Sequence, residues 1–172
     1  RGYGEQHRQG PEGAVPIISF DYLIITKRGI FWRDATVEKS AMLMKILVVK
    51  DSMSKYIGSH VVPVKGLGED RYAAEKLRGD ILWLGYSRVI LKSDNEPAIL
   101  ALLADVLKAL KVEVLDQAAP DHPPPYDSRA NGSVENAVRQ VQGLLRTLKA
   151  CLGSRLCLRI RCDHPIIAWL VK

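Results

Sequence analysis

The chain switches several times between strand-like and helix-like spacing of its apolar residues. VPIISFDYLIIT (residues 15–26) is apolar on both alternating faces apart from Ser19 and Asp21, the pattern of a central strand covered on both sides. KILVVKD (45–51) and YIGSHVVPV (56–64) predict two more strands around the turn Ser52-Met53-Ser54-Lys55. Within residues 69–84, Tyr72, Leu77, Ile81 and Leu84 share a helical face, and Gly85 follows as a stop. RVILK (88–92) predicts a short buried strand. Residues 98–110 predict a helix through Ile99, Leu102, Leu103, Val106, Leu107 and Leu110. VEVLDQ (112–117) predicts the next strand. Residues 133–150 predict a helix whose core stripe is Val134, Val138, Val141, Leu145 and Leu148. Residues 27–44 read as an excursion with a short strand near IFW, and LCLRIR (156–161) as extended, with a helical end.

Three strands in an antiparallel meander, followed by alternating helices and strands, predict a mixed α/β class: a central five-stranded sheet flanked by helices. The length of 172 residues suits one domain with a sizeable core. Residues 1–14, polar and Gly-rich, read as a linker, 15–152 as the core, and 153–172 as the start of a C-terminal helical extension of a longer chain. AAPDHPPPYDSRANG (118–132) reads as a loop. Its three consecutive prolines rule out regular structure there, and a long irregular loop in a compact domain is often functional.

Charge adds a direction. The formal net charge is +6, and from residue 129 onward eight Lys and Arg face only Glu135 and Asp163, so that stretch carries the whole excess. A one-sided basic excess points to an anionic partner, with nucleic acid the first candidate, against the plainer reading of a solvated basic face. The cysteines, Cys151, Cys157 and Cys162, are odd in number and clustered, which suits core thiols in a reducing compartment better than a disulfide framework. Their spacing with His164 fits no common zinc pattern. No apolar run reaches membrane-spanning length and no signal peptide is visible, so a nuclear or cytoplasmic location is expected.

Three carboxylates occupy unusual places. Asp is depleted in strands and costly when buried unpaired, yet Asp21 sits inside the most apolar strand of the chain. Asp94 leaves the end of the RVILK strand, where it could equally cap the following helix. Glu135 lies in the first turn of the basic helix, where it could simply complement the helix dipole. Asp51 begins a turn, and a turn role suits it best. Asp21, Asp94 and Glu135 could converge at one sheet end, where three hard oxygen ligands suit Mg²⁺ and a pair of ions could act on a phosphodiester. Glu135, Arg139, Gln142, Arg146 and Lys149 fall on one helical face, which would put phosphate binding beside that chemistry.

Four stretches in order carry a resemblance: VPIISFDYLIIT, ILVVKDSMSKYIG, VILKSDNEP and SRANGSVENAVRQVQGLLRTL. Together they resemble the catalytic core of retroviral and retrotransposon integrases, within the RNase H-like superfamily, over roughly residues 15–152. The resemblance implies an RNase H-like fold and an acidic triad of Asp21, Asp94 and Glu135. These would hold two Mg²⁺ or Mn²⁺ ions, Asp21 shared between them. It implies DNA integration: processing of a DNA 3′ end and strand transfer, as part of a retrotransposon polyprotein. Arg139, Gln142, Arg146, Lys149 and Asn131 would face DNA, and the working unit would be a dimer or larger homo-oligomer. Three features depart from the pattern. Forty residues separate Asp94 from Glu135, more than the family's usual spacing, and residues 27–44 form a longer excursion. Glu96 stands where the family usually has Gly. The competing expectations are a decayed or domesticated nucleic-acid-binding module on the same fold and a hydrolytic nuclease of the superfamily. The nuclease would usually carry a fourth carboxylate.

Overall fold

The computed structural model describes residues 14–26, 29–31, 42–113, 117–121 and 132–171. Strands β1 (Ile17–Thr26), β2 (Gly29–Phe31), β3 (Met42–Asp51), β4 (Ile57–Val62), β5 (Arg88–Ser93) and β6 (Gln117–Asp121) form one mixed sheet. The order is β4-β3-β1-β5-β6, with β2 paired to β1 off this path. β4, β3 and β1 are antiparallel neighbours, while β5 and β6 join parallel. Helices α1 (Tyr72–Leu84), α2 (Pro97–Glu113), α3 (Gly132–Arg155) and α4 (Ile166–Leu170) complete the described elements. This is the expected mixed sheet flanked by helices, with five strands along the main path and β2 as a short sixth near the expected IFW.

Two cores form on the two faces of the sheet. Ile18, Phe20 and Tyr22 of β1 with Leu47 and Val49 of β3 meet α1 and α2 through Leu77, Ile81, Ile99, Leu102, Leu103 and Val106. The alternate residues Leu23, Ile25, Ile46 and Val48 meet Val134, Ala137, Val138 and Leu145 of α3. Period-2 alternation along β1 therefore separates an α1/α2 face from an α3 face. α1 ends as expected: Gly85 takes a left-handed conformation (φ +70°) and its amide bonds to the Leu82 carbonyl.

Several boundaries depart from expectation. α2 continues through Val112 and Glu113, residues 114–116 lie outside the described residues, and of VEVLDQ only Gln117 belongs to the strand that is seen. β6 instead uses Ala118 to Asp121, assigned above to the loop. Its Pro120 is tolerated because β6 is the edge of the sheet. Residues 122–131, including Pro123 to Pro125 and Asn131, lie outside the described residues. α3 runs past residue 152 without a break. Ile160, Ile167 and Val171 then bury against the α3-side core, and Ser59 Oγ donates to the Val171 carbonyl at 2.9 Å. Residues after 152 thus contribute to that core. Leu148 is partly exposed, outside the core stripe, and Ala137 takes a place in it. All three cysteines are free thiols: Cys151 and Cys157 are exposed, against the expectation of core thiols, while Cys162 is half-buried and packs against the α3-side core.

Candidate active site at the opening beside β1

The register of β1 decides where the acids fall. β5 pairs with β1 only as far as Phe20↔Ser93, and Asp94 is the next residue of β5's path. Asp21 is the next residue of β1. Parallel neighbours lie about 4.8 Å apart, so Asp21 and Asp94 leave the last pair side by side. Strand alternation directs Asp21 to the face of Leu23 and Ile25, which is the α3 face.

The same side of β1 is then open for a short interval. β2 takes up pairing at Ile24↔Phe31, on the edge opposite β3. Between the end of β5 and the start of β2, Asp21, Tyr22 and Leu23 have no ladder partner on that side among the described residues. Every residue of β1 from Ile18 to Thr26 is buried except Asp21, which is half-buried. Asp21 is thus the one residue of this stretch that keeps some exposure, and it lies where the β1–β5 ladder has ended. Ligand sites of open α/β sheets fall at such crevices beyond the carboxyl ends of strands.

Local bonds orient both acids similarly. Asp21 Oδ1 accepts from the Tyr22 amide at 2.7 Å, and Asp94 Oδ1 accepts from the Asn95 amide at 2.8 Å. The capping alternative for Asp94 is not realised in these bonds. At the start of α2 the Ile99 and Leu100 amides bond to the Glu96 carbonyl. Asp94 is exposed beyond the strand end.

Glu135 is half-buried in the first turn of α3, on the helix that packs over β1 and β3. It therefore belongs to the same face as Asp21. Among the described residues, however, no group of three or more His, Cys, Asp or Glu is gathered closely enough to hold a metal. The fold sets Asp21 and Asp94 one residue past the last β1–β5 pair and Glu135 on the helix over that face, without assembling a three-acid cluster among the described residues. Hard carboxylate oxygens are the donors Mg²⁺ and Mn²⁺ take, so the donor chemistry fits a divalent ion of that class. Along α3, Arg139 and Arg146 are exposed, and Gln142 and Lys149 are half-buried.

Two acids outside this opening have structural roles. Asp51, fully buried, accepts from the Met53 amide (3.1 Å), the Ser54 amide (2.7 Å), the Ser54 hydroxyl (2.5 Å) and the Tyr86 hydroxyl (2.7 Å). Burial alone would raise its pKa. The bonds from Ser54, Tyr86 and Met53 outweigh burial and hold the carboxyl below its ordinary value. This is the turn role expected of it. Asp80, on α1, is bonded by His60 (2.7 Å) and the Tyr56 hydroxyl (3.3 Å). Burial, then the Asp80 charge, pushes the Tyr56 hydroxyl up to about 12.

Glu96, the departure beside Asp94, has a partner that the sequence did not signal. Lys65 Nζ donates to Glu96 Oε2 at 2.6 Å, so the extra negative charge is offset locally. The two residues are 31 apart in the chain, and no periodic pattern links them.

No protein-family model matches this chain, and no curated protein matches it. Among solved structures it is similar to a chain of the simian T-cell lymphotropic virus intasome in complex with PP2A regulatory subunit B56 gamma. The identity is 17% and the TM-score 0.48, over 89% of this chain and 46% of that one. The chain thus spans less than half the length of that neighbour. No helix among the described residues is long and apolar enough to cross a membrane.

Proposed function

We propose that this domain is an integrase-type polynucleotidyl transferase acting on DNA phosphodiesters. The observation that carries the proposal is the β1–β5 register, which leaves Asp21 and Asp94 side by side at an opening in the sheet. Glu135 on α3 would complete the acidic set. Mg²⁺ or Mn²⁺ bound there would supply charge stabilisation and activation of the attacking oxygen. Asp21 lies on the central strand and Asp94 just past the end of its neighbour, so in this reading the two carboxylates would be pre-positioned. Arg139, Gln142, Arg146 and Lys149 would bind the DNA backbone along α3, beside the acids, with Asn131 at its approach. Such contacts fix the position of the strand and carry no sequence information. Processing of a DNA 3′ end and strand transfer in a retrotransposon polyprotein are the reactions this reading assigns, carried out by a homo-oligomer.

A second reading is a catalytically decayed or domesticated DNA-binding module. The lack of a gathered three-acid group among the described residues favours it. An assay with labelled duplex DNA ends and Mn²⁺ separates the two. The transferase reading expects nicked and joined products from the wild type and their loss in Asp21→Asn, Asp94→Asn and Glu135→Gln. A wild type that binds DNA with a steep salt dependence and forms no product in any condition would establish the second.

A further inference from the structure

The residues flanking the two acids are tied to one short segment on the opposite face of the sheet. Tyr22, which follows Asp21, points to the α1/α2 face, and its hydroxyl accepts from the Gly66 amide at 3.0 Å. Glu96, two residues beyond Asp94, accepts from Lys65 at 2.6 Å. Lys65 Nζ also lies 5.7 Å from the centroid of the Tyr22 ring, within cation–π range. Gly66 is held against the first turn of α2: its φ is +86°, and a Cβ there would lie 2.7 Å from the Ala98 carbonyl oxygen. Two consecutive residues between β4 and α1 therefore grip β1 just past Asp21 and the β5–α2 corner just past Asp94.

We propose that Lys65 and Gly66 form a strap that sets the separation of Asp21 and Asp94, with Lys65 a positioning residue. This rests on the reading of those two acids as one site. The coupling has a short path. The Asp21 carboxylate is bonded to the amide of Tyr22, the residue the strap holds by its hydroxyl. The Asp94 carboxylate is bonded to the Asn95 amide, directly before the Glu96 that the strap holds by its side chain. Lys65 also removes a net negative charge that Glu96 would otherwise place beside the acids.

The Tyr22 and Asn95 backbone amides report the two carboxylates directly, so the test is amide NMR on the ¹⁵N-labelled chain without metal. Lys65→Met keeps the apolar stem and removes the charge. It should move the Tyr22 and Asn95 resonances together and speed exchange of the Gly66 amide by up to about fivefold, as suits a half-exposed ion pair. The exchanged pair Lys65→Glu with Glu96→Lys should return all three signals toward wild type. Mg²⁺ affinity, read by calorimetry, should change in the single variant and return to the wild-type value in the exchanged pair. Signals that stay unmoved in Lys65→Met, or that the exchanged pair fails to restore, would overturn the strap. If the signals respond as expected while the wild type binds no divalent ion and joins no DNA, the strap stands and the transferase reading falls.

Discussion

Asp94→Asn tests the geometry at the opening through a change of sign. Without metal, two carboxylates leave adjacent strands side by side, roughly 5 Å apart. Two like charges at that distance repel by about 1 kcal/mol in a water-like dielectric and about 3 kcal/mol at an effective constant of about 20. Asp94 is exposed and Asp21 half-buried, so the lower figure applies. Removing one charge should therefore stabilise the metal-free chain by about 1 kcal/mol, a rise of about 2–4 °C in Tm at this size. With divalent ion the order should reverse. An ion present at a hundredfold above its Kd stabilises by about 2.7 kcal/mol, which the wild type gains and the variant loses in large part. Thermal melts of both proteins in EDTA and in excess MgCl₂ read this directly. Equal melting temperatures in EDTA, with the same Mg²⁺ shift in both proteins, would refute the shared site.

Other expectations follow from the same contacts. Asp51→Ala should cost about 3 kcal/mol in urea unfolding, because it removes hydrogen bonds to a buried charge and strands the Tyr86 hydroxyl. The folded pKa of Asp51 is depressed, so its stabilisation is complete above the unfolded value near ~3.9 and is lost as pH falls through the folded one. Acid titration of stability should be shallower in Asp51→Asn, and an unchanged acid limb would contradict this. Tyr86 shifts the other way, to about 12, through burial and then its bond to Asp51. Its contribution should persist below pH ~10 and vanish as pH rises toward that value. Leu145, 2% exposed, should lose about 2–5 kcal/mol on change to Ala, while Leu144, 61% exposed, should stay within about 0.5 kcal/mol. Equal effects at the two positions would mean that α3 packs by a different face. Ser93 Oγ is buried without a partner, so Ser93→Ala should be neutral or stabilising in the same assay, and a loss above about 1 kcal/mol would point to a bound water.

Much of the architecture was legible along the chain. Apolar runs and periodicities located β1, β3, β4, α1, α2 and α3, because each must present a continuous apolar surface to one of two cores. Asp21 stood out for the same reason, as a charge in a strand that otherwise tolerates none. Gly85 marked a helix end, and Asp51 a turn, through strictly local chemistry. Those signals depend only on near neighbours in the chain.

What they left open was decided by contacts between distant segments. β6 begins later than expected, at Gln117, α2 continues its turns to Glu113, and the edge position lets Pro120 join the ladder. Leu148 and Cys151 of α3 proved more exposed than expected, since a helix stripe can be wider than the neighbour that covers it. Residues 156–171 return to the core through Ile160, Ile167 and Val171, whose partners on β1 and β3 are over a hundred residues away. The sequence by itself determined that Asp21 needs a reason to be where it is. The tertiary structure decided its surroundings: the pairing of β1 with β5 ends at Phe20, that with β2 begins at Ile24, and Asp21 is the first residue between them. Register is a relation between strands, closed by packing across the whole sheet, and no local period encodes it.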